Sequence, residues 1–349
     1  MSPSTTKQWT VEGKSGFDSL KLNESASIPK IGDKDVLVKI NGASLNYRDL
    51  IMPLGKHPFP PKDGNVPGSD GAGVVESVGS KVTRFKPGDR VVTLFHPSHI
   101  AGPLDAAAPL ATGLGGAIDG TLREYGVFDE QGLVAAPKNL NDLEASTLSC
   151  AGLTAWNALY GLESRALKPG HWVLTQGTGG VSIFALQFAK AAGARVIATT
   201  SSALKGETLR KLDADEFINY KETPNWGDKA KELTGGVGVQ HVIEVGGPAT
   251  MAQSLKAIAV DSVITIIGSV GGMEKDQPTF LDTLVNTCTV RGIVVGNRLQ
   301  MQDMVNAIEA NNIHPVVDEK VFEFKDLKEA YEYMWNQKHF GKLTIKVSA

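Results

Sequence analysis

Residues 177–182, GTGGVS, follow the strand-like run Trp172–Gln176 and precede apolar positions at helical spacing: Val181, Phe184, Ala185, Phe188, Ala189 and Ala192. That context gives a glycine run a chemical meaning. Gly177 permits a tight turn, and Gly179 lets the backbone approach a pyrophosphate. The helix N-terminus adds unpaired N–H groups and the positive end of its dipole. Ser182 takes the third small position, compact enough for close helix–strand packing. Thr178, Gly180 and Val181 complete the turn, so residues 177–181 are the candidate dinucleotide site. A glycine turn with no ligand is the plainer alternative.

The second strand bears on which dinucleotide. A carboxylate about 20 residues beyond the first glycine would bind the ribose 2′-hydroxyl of NAD. Here the sequence has Thr199, Thr200, Ser201, Ser202 and Lys205, with no acid between Arg195 and Glu207. A carboxylate repels a 2′-phosphate, whereas hydroxyls and an ammonium bind one through charge-assisted hydrogen bonds. Tyr220, at the end of the third strand, is placed to flank the adenosine. NADP(H) is therefore expected, with Lys205 as a solvated helix residue the alternative reading.

Three further groups carry potential chemistry. Residues 66–73, VPGSDGAG, set Ser69 and Asp70 between glycines, which suits a tight turn, a phosphate cradle or a metal site. His96 and His99 form H-x-x-H near Asp105, but the loop supplies no third strong ligand, so loop surface or substrate contact is expected. Cys150 opens an apolar helix without a histidine nearby in sequence, and reads as a small hydrophobe rather than a nucleophile.

These residues need elements to hold them. The first third has short-strand texture, with Val36, Val38 and Ile40 alternating in DVLVKI and a KPGD turn before RVVTL. Residues 96–120 lack periodicity and form a long irregular excursion. After about residue 150, WVLTQ, RVIATT, EFINY, VQHVIEV, VITIIG and TVRGIVV alternate with helical patterns. Such βα alternation implies a doubly wound parallel sheet. From about Leu299 the pattern leaves the alternation, and the tail is expected to fold back onto the first domain. The fold class is α/β, with a β-rich domain at 1–150 completed by 297–349 and a dinucleotide-binding domain at 151–296.

Composition narrows the partners. A chain of 349 residues exceeds one ordinary core. A net charge of −3 argues against nucleic acid or an anionic membrane as a partner. No window approaches the ~18 apolar residues of a membrane span. Two cysteines, Cys150 and Cys288, and a polar N-terminus without an apolar signal core point to a reducing, cytoplasmic setting.

Taken together, LNYRDL (45–50), PGSDGAG (67–73), FKPGDRV (85–91), CAGLTAWNAL (150–159), QGTGGVS (176–182) and HFGK (339–342) resemble the medium-chain dehydrogenase/reductase superfamily, within it the zinc-free, quinone-oxidoreductase-like members. The resemblance spans essentially the whole chain. It implies a GroES-like catalytic domain, a Rossmann domain and a catalytic cleft where they meet. Zinc ligands of relatives fall on Asn46, Ser69 and Cys150, of which only Cys150 binds Zn²⁺ well, so no metal is expected. Without a Lewis acid, alcohol oxidation loses its main support. Reduction of an enone or quinone, whose developing oxyanion needs only hydrogen-bond donors, is the expected reaction. A zinc-free NADP-linked alcohol or carbonyl dehydrogenase and a non-catalytic NADPH-binding protein are the alternatives.

The resemblance places Asn46 and Tyr47 at the cleft, Asn46 to hold a carbonyl oxygen and Tyr47 to donate a proton or pack the pocket. Related reductases have G-x-Y where this chain has Gly55–Lys56–His57, so His57 is a second proton-donor candidate. Thr154, Gly246–Gly247, Gly268, Asn297 and Lys342 are carried over as contacts to the cofactor. A homodimer pairing the last Rossmann strand, Thr289–Val295, is also implied.

Overall fold

The computed structural model describes residues 3–57, 61–104, 113–272, 274 and 277–348. It divides into two units, Met1–Leu153 with Gly296–Ala349, and Thr154–Val295.

The first unit starts with an antiparallel ribbon of β1 (Thr5–Val11) and β2 (Leu20–Ser27), then β3 (Asp35–Ser44). Val36, Val38 and Ile40 of β3 are buried as their alternation suggests, but Leu37 on the opposite face is buried too. The strand is central in its sheet, and neither of its faces is left to solvent at these positions. Helix α1 (Tyr47–Ile51) follows, then β4 (Asp70–Val78), β5 (Arg90–Thr93), β6 (Tyr125–Asp129) and β7 (Leu133–Ala135). Helix α2 (Asp142–Ser146) opens on Asn141, whose side chain accepts from Glu144 N in a capping box. Cys150 lies in a wide turn of π type, Leu148–Gly152, ahead of α3 (Leu153–Tyr160), rather than at the start of the α-helix itself.

The second unit alternates strand and helix. In chain order these are β8 (Trp172–Gln176), α4 (Gly180–Ala191), β9 (Arg195–Thr200), α5 (Ala203–Lys211), β10 (Glu216–Asn219), α6 (Trp226–Leu233), β11 (Val239–Glu244), α7 (Pro248–Ala257), β12 (Ile258–Ile266), α8 (Leu281–Val285) and β13 (Thr289–Gly292). Among the described residues the sheet is six-stranded in the order β10-β9-β8-β11-β12-β13, parallel throughout. This is the doubly wound Rossmann order, with the switch point between β8 and β11. Val173, Leu174, Val196, Ile197, Val242, Ile243 and Ile264 are all buried, as both-face coverage requires. The last strand is shorter than TVRGIVV suggests. Val295 turns to φ +53 and its carbonyl is taken by Asn157 Nδ2 at 2.6 Å, which ends the ladder.

The tail rejoins the first unit through α9 (Arg298–Asn311), β14 (Phe322–Glu323), α10 (Leu327–Trp335) and β15 (Thr344–Lys346). The sheet there runs β14-β15-β3-β4-β5-β7, with β6 on β3. Two registers matter for the site. Ser44 pairs with Asp70 on one side and with Thr344 on the other. Residues 45–46, 69–70 and 342 are thereby brought to one end of the sheet. Among the described residues no helix is long and apolar enough to cross a membrane.

Three buried ionisable groups set the pH response. His241, in β11 beside the His171 ring (5.8 Å between centroids), is pushed down to about 4 by burial and then by His171. His96 is likewise pushed to about 4 by burial, with His99 and Arg48 adding to it. Asp49 is pushed up to about 6, burial again first. An unfolded histidine titrates near ~6.5, so each native imidazole contributes stability that is full above that pH and lost towards ~4. Asp49 acts in the opposite sense, its contribution present below ~3.9 and lost as pH rises through ~6. Two groups outweigh one. Urea unfolding should therefore give a stability lower at pH 5 than at pH 7 by on the order of 2 kcal/mol, and His241→Gln should shrink that difference.

Candidate active site

The polar end of the first unit is organised by one buried ammonium. Lys342 Nζ donates to Leu45 O at 2.8 Å, Asn46 Oδ1 at 2.6 Å and Asp70 Oδ2 at 3.1 Å. The lysine is 3 % exposed and Asp70 fully buried. Asp70 also accepts from Ser44 Oγ at 2.9 Å and Ser69 Oγ at 2.8 Å, and Asn46 Nδ2 lies 3.4 Å from Ser69 Oγ. Lys342 is thus not a solvated lysine, and its three N–H groups all have partners inside this unit.

Glycines of PGSDGAG answer to packing. Gly68 has φ +84, and a Cβ there would meet Leu122 at 2.8 Å; one on Gly71 would meet Thr121 at 2.9 Å. Gly120 N and Thr121 N donate to Val66 O and Gly68 O at 2.7 and 3.0 Å. The stretch leads into the start of β4 and is clamped by residues 113–122, part of which the sequence reads as a free excursion.

Asn46 caps α1: its backbone N–H donates to Asp49 Oδ2 at 2.8 Å. Arg48 turns away from Asp49, donating to Leu114 O at 2.7 Å and lying 4.8 Å over the Phe95 ring. Tyr47 is 46 % exposed and stacks on Trp335 at 6.4 Å and 7° between planes. His57 is partly buried beyond the end of α1. His96 is fully buried against Phe95, 4.8 Å between rings, which corrects its expected place on the loop surface. His99 bonds Gly102 O at 2.9 Å, while Asp105 lies outside the described residues. The Cys150 thiol is pushed up to about 12 by burial and then by Asp70, which disfavours the nucleophilic thiolate.

In the second unit the turn after β8 has the anticipated geometry. Gly177 adopts φ +74, Gly179 caps α4, and a Cβ on either would project into open space. Ser182 Oγ donates to Gln176 O at 2.6 Å, tying helix to strand. Thr178, Gly180 and Val181 are partly exposed around this bare backbone, and Thr154 is buried in α3. Thr200 is buried at the end of β9, whereas Ser201, Lys205 and Tyr220 reach solvent. Ser202 Oγ has a structural duty, accepting from Lys205 N at 3.4 Å as the N-cap of α5. Asn297, carried over as a cofactor contact, belongs to the first unit and caps α9 by accepting from Gln300 N at 2.9 Å.

A pair that sequence reading missed lies beneath these turns. Glu244, fully buried at the end of β11, accepts from Gln176 Nε2 at 2.7 Å, Gly247 N at 2.8 Å, Thr250 Oγ1 and Ser254 Oγ. An acid at a strand end, next to Gly246–Gly247 and across from the residue before Gly177, was the signal available.

Both implied groups can be tested against these residues. For Zn²⁺ the donor set does not fit: Asn46 and Ser69 offer neutral oxygens, and a lysine ammonium already occupies the space between Asn46 and Asp70. Among the described residues no three His, Cys, Asp or Glu side chains gather as a metal requires. For a dinucleotide the residues fit, because the exposed glycine backbone at 177–179 leads into a twelve-residue helix whose first N–H groups lack side-chain caps.

Residues 32–138 match the alcohol dehydrogenase GroES-like domain and residues 180–310 the zinc-binding dehydrogenase family. A zinc-type alcohol dehydrogenase-like protein of Schizosaccharomyces pombe is 49% identical over 95% of this chain and 96% of its own length. A 2-methylene-furan-3-one reductase of Solanum lycopersicum is 31% identical over 98% of this chain and 79% of its own. The crystal structure of a putative alcohol dehydrogenase from Sinorhizobium meliloti 1021 superposes with TM-score 0.91 at 41% identity, covering 99% of this chain and 100% of that one.

Because Lys342 is the cation of Asp70, Lys342→Met should cost about 3–5 kcal/mol by stranding a buried carboxylate. Lys342→Met with Asp70→Asn should recover most of it, as read from denaturant unfolding of the three proteins.

Proposed function

The chain belongs to the medium-chain dehydrogenase/reductase superfamily, and from that premise we propose that this oxidoreductase is a zinc-independent, NADPH-dependent reductase of activated C=C bonds or quinones. The observation that carries the reading is the Lys342 ammonium held at 2.6 Å from Asn46 Oδ1 and 3.1 Å from Asp70 Oδ2. A divalent cation there would have to displace a positive charge and accept amide and hydroxyl ligands. NADPH is favoured over NADH by Ser201, Lys205 and the absence of an acid between Arg195 and Glu207.

The bound dinucleotide supplies the hydride. This chain's residues deal with charge and proton. Hydride addition to the β-carbon of an enone moves an electron pair onto the carbonyl oxygen. Asn46 meets that oxygen with Nδ2, since Lys342 holds its Oδ1. Tyr47 and His57 are the candidate donors of the proton that the α-carbon takes up. The relative named as a 2-methylene-furan-3-one reductase, an exocyclic enone by its name, supports this choice of acceptor.

The end strand β13, with Phe280, Leu281, Leu284 and Val285 exposed nearby, supports a homodimer, because such an apolar edge is poorly left to water. Two cysteines, both free, suit a reducing cytoplasm.

Following NADPH oxidation with an enone, a quinone and a ketone tests the activity. Turnover of the first two, retained after dialysis against a chelator, is expected. Asn46→Ala should lower kcat about 10²-fold. Of Tyr47→Phe and His57→Phe, the one that removes the proton donor should slow turnover about 10²-fold or more. Ketone turnover alone would assign a carbonyl dehydrogenase, and cofactor binding without turnover a non-catalytic binder. Light scattering on the eluting protein should give twice the 37.1 kDa chain mass, falling to the monomer in a Leu284→Asp, Val285→Asp variant.

A further inference from the structure

Gln176 is the last residue of β8, immediately before the glycine turn, and its side-chain amide is saturated. The carbonyl oxygen accepts from Val245 N at 3.1 Å and Gly246 N at 3.0 Å. The NH₂ group donates to Glu244 Oε2 at 2.7 Å and Ser254 Oγ at 3.0 Å. Glu244 in turn holds Gly247 N at 2.8 Å. Two side chains on neighbouring strands therefore secure every backbone N–H of the 245–247 turn. The same turn carries the next one: Val270 N donates to Val245 O at 3.0 Å and Gly271 N to Gly246 O at 2.9 Å. Its backbone is also tightly packed, since Gly247 has φ +78 and a Cβ there would meet Ser269 at 2.8 Å.

We propose that Gln176 and Glu244 are positioning residues that couple the pyrophosphate turn at 177–179 to the 245–247 and 268–271 turns, so that both halves of the dinucleotide meet a preset surface. This rests on the cofactor reading above. The chemistry is specific to an acid–amide pair. Gln176 must accept twice and donate twice, which only a carboxamide does. A carboxylate in its place would face Glu244 across buried space, and like charges there exclude one another. Exchanging the two residues restores the pattern: a glutamate at 176 accepts from Val245 N and Gly246 N, and a glutamine at 244 donates to it.

The test uses two probes, NADPH and 2′-phospho-ADP-ribose, which keeps the pyrophosphate but lacks nicotinamide. Calorimetric titration of wild type, Gln176→Glu and the exchanged pair Gln176→Glu with Glu244→Gln reads the coupling. Gln176→Glu should weaken NADPH about tenfold or more and the fragment by less than about threefold, because the loss falls on the distant turns. The exchanged pair should return NADPH to within about threefold of wild type. Equal weakening of both probes, or no weakening, overturns the proposal, as does an exchanged pair that folds without recovery. Should Gln176→Glu not fold, Gln176→Asn, too short to reach, replaces it. Hydrogen exchange must then rise in residues 244–250 and stay unchanged in β9, and any other pattern refutes the coupling. A wild type that binds NADH instead shifts the probes to NADH and ADP-ribose. One that binds neither dinucleotide overturns the cofactor reading and the coupling with it.

Discussion

A single buried ion pair governs the polar end of the first unit. Lys342 and Asp70 stand 3.1 Å apart with almost no solvent access, and neither tolerates burial alone. Ser44, Ser69, Leu45 O and Asn46 complete their hydrogen bonds, so the pair is satisfied as well as neutralised. From this follow the orientation of the Asn46 amide and the unsuitability of the place for a metal. The pair exists because β3 takes β4 on one side and β15 on the other, in registers that align Ser44, Asp70 and Thr344.

The second unit solves a different problem with different means. Its task is to present bare backbone, and the glycines at 177 and 179 do so, whereas those at 246 and 247 are closely packed beneath. Bare backbone is flexible by itself. The Gln176–Glu244 pair offsets that freedom from below, leaving the upper surface to a ligand. Each unit places a buried charge among groups of opposite polarity: Lys342 against Asp70 in the first, Glu244 among hydrogen-bond donors in the second.

Much of this was legible in the residues. The alternation of WVLTQ, RVIATT and their successors marked each Rossmann strand, because both-face burial demands continuous apolar runs. GTGGVS was readable because its glycines sit between a strand and a helix. What failed to show was long-range: nothing near Lys342 in sequence says that its partners are Leu45, Asn46 and Asp70. Asn297 follows the last strand, and only the structure shows that it also caps a helix. His96 looked like loop surface because its neighbours are Pro and Ser, yet it is fully buried, its ring 4.8 Å from that of Phe95. Local chemistry is written locally; closure of a sheet by a distant strand is not.

The sequence distance between Asp70 and Lys342, 272 residues, has a consequence for biogenesis. On a ribosome the whole of Thr154–Val295 emerges before the lysine does. The nucleotide-binding half has everything it needs to fold first, while the earlier-made half waits with an unneutralised aspartate. Synthesis order and completion order are thus reversed. The nascent first unit is the part of the molecule that a chaperone has longest to guard.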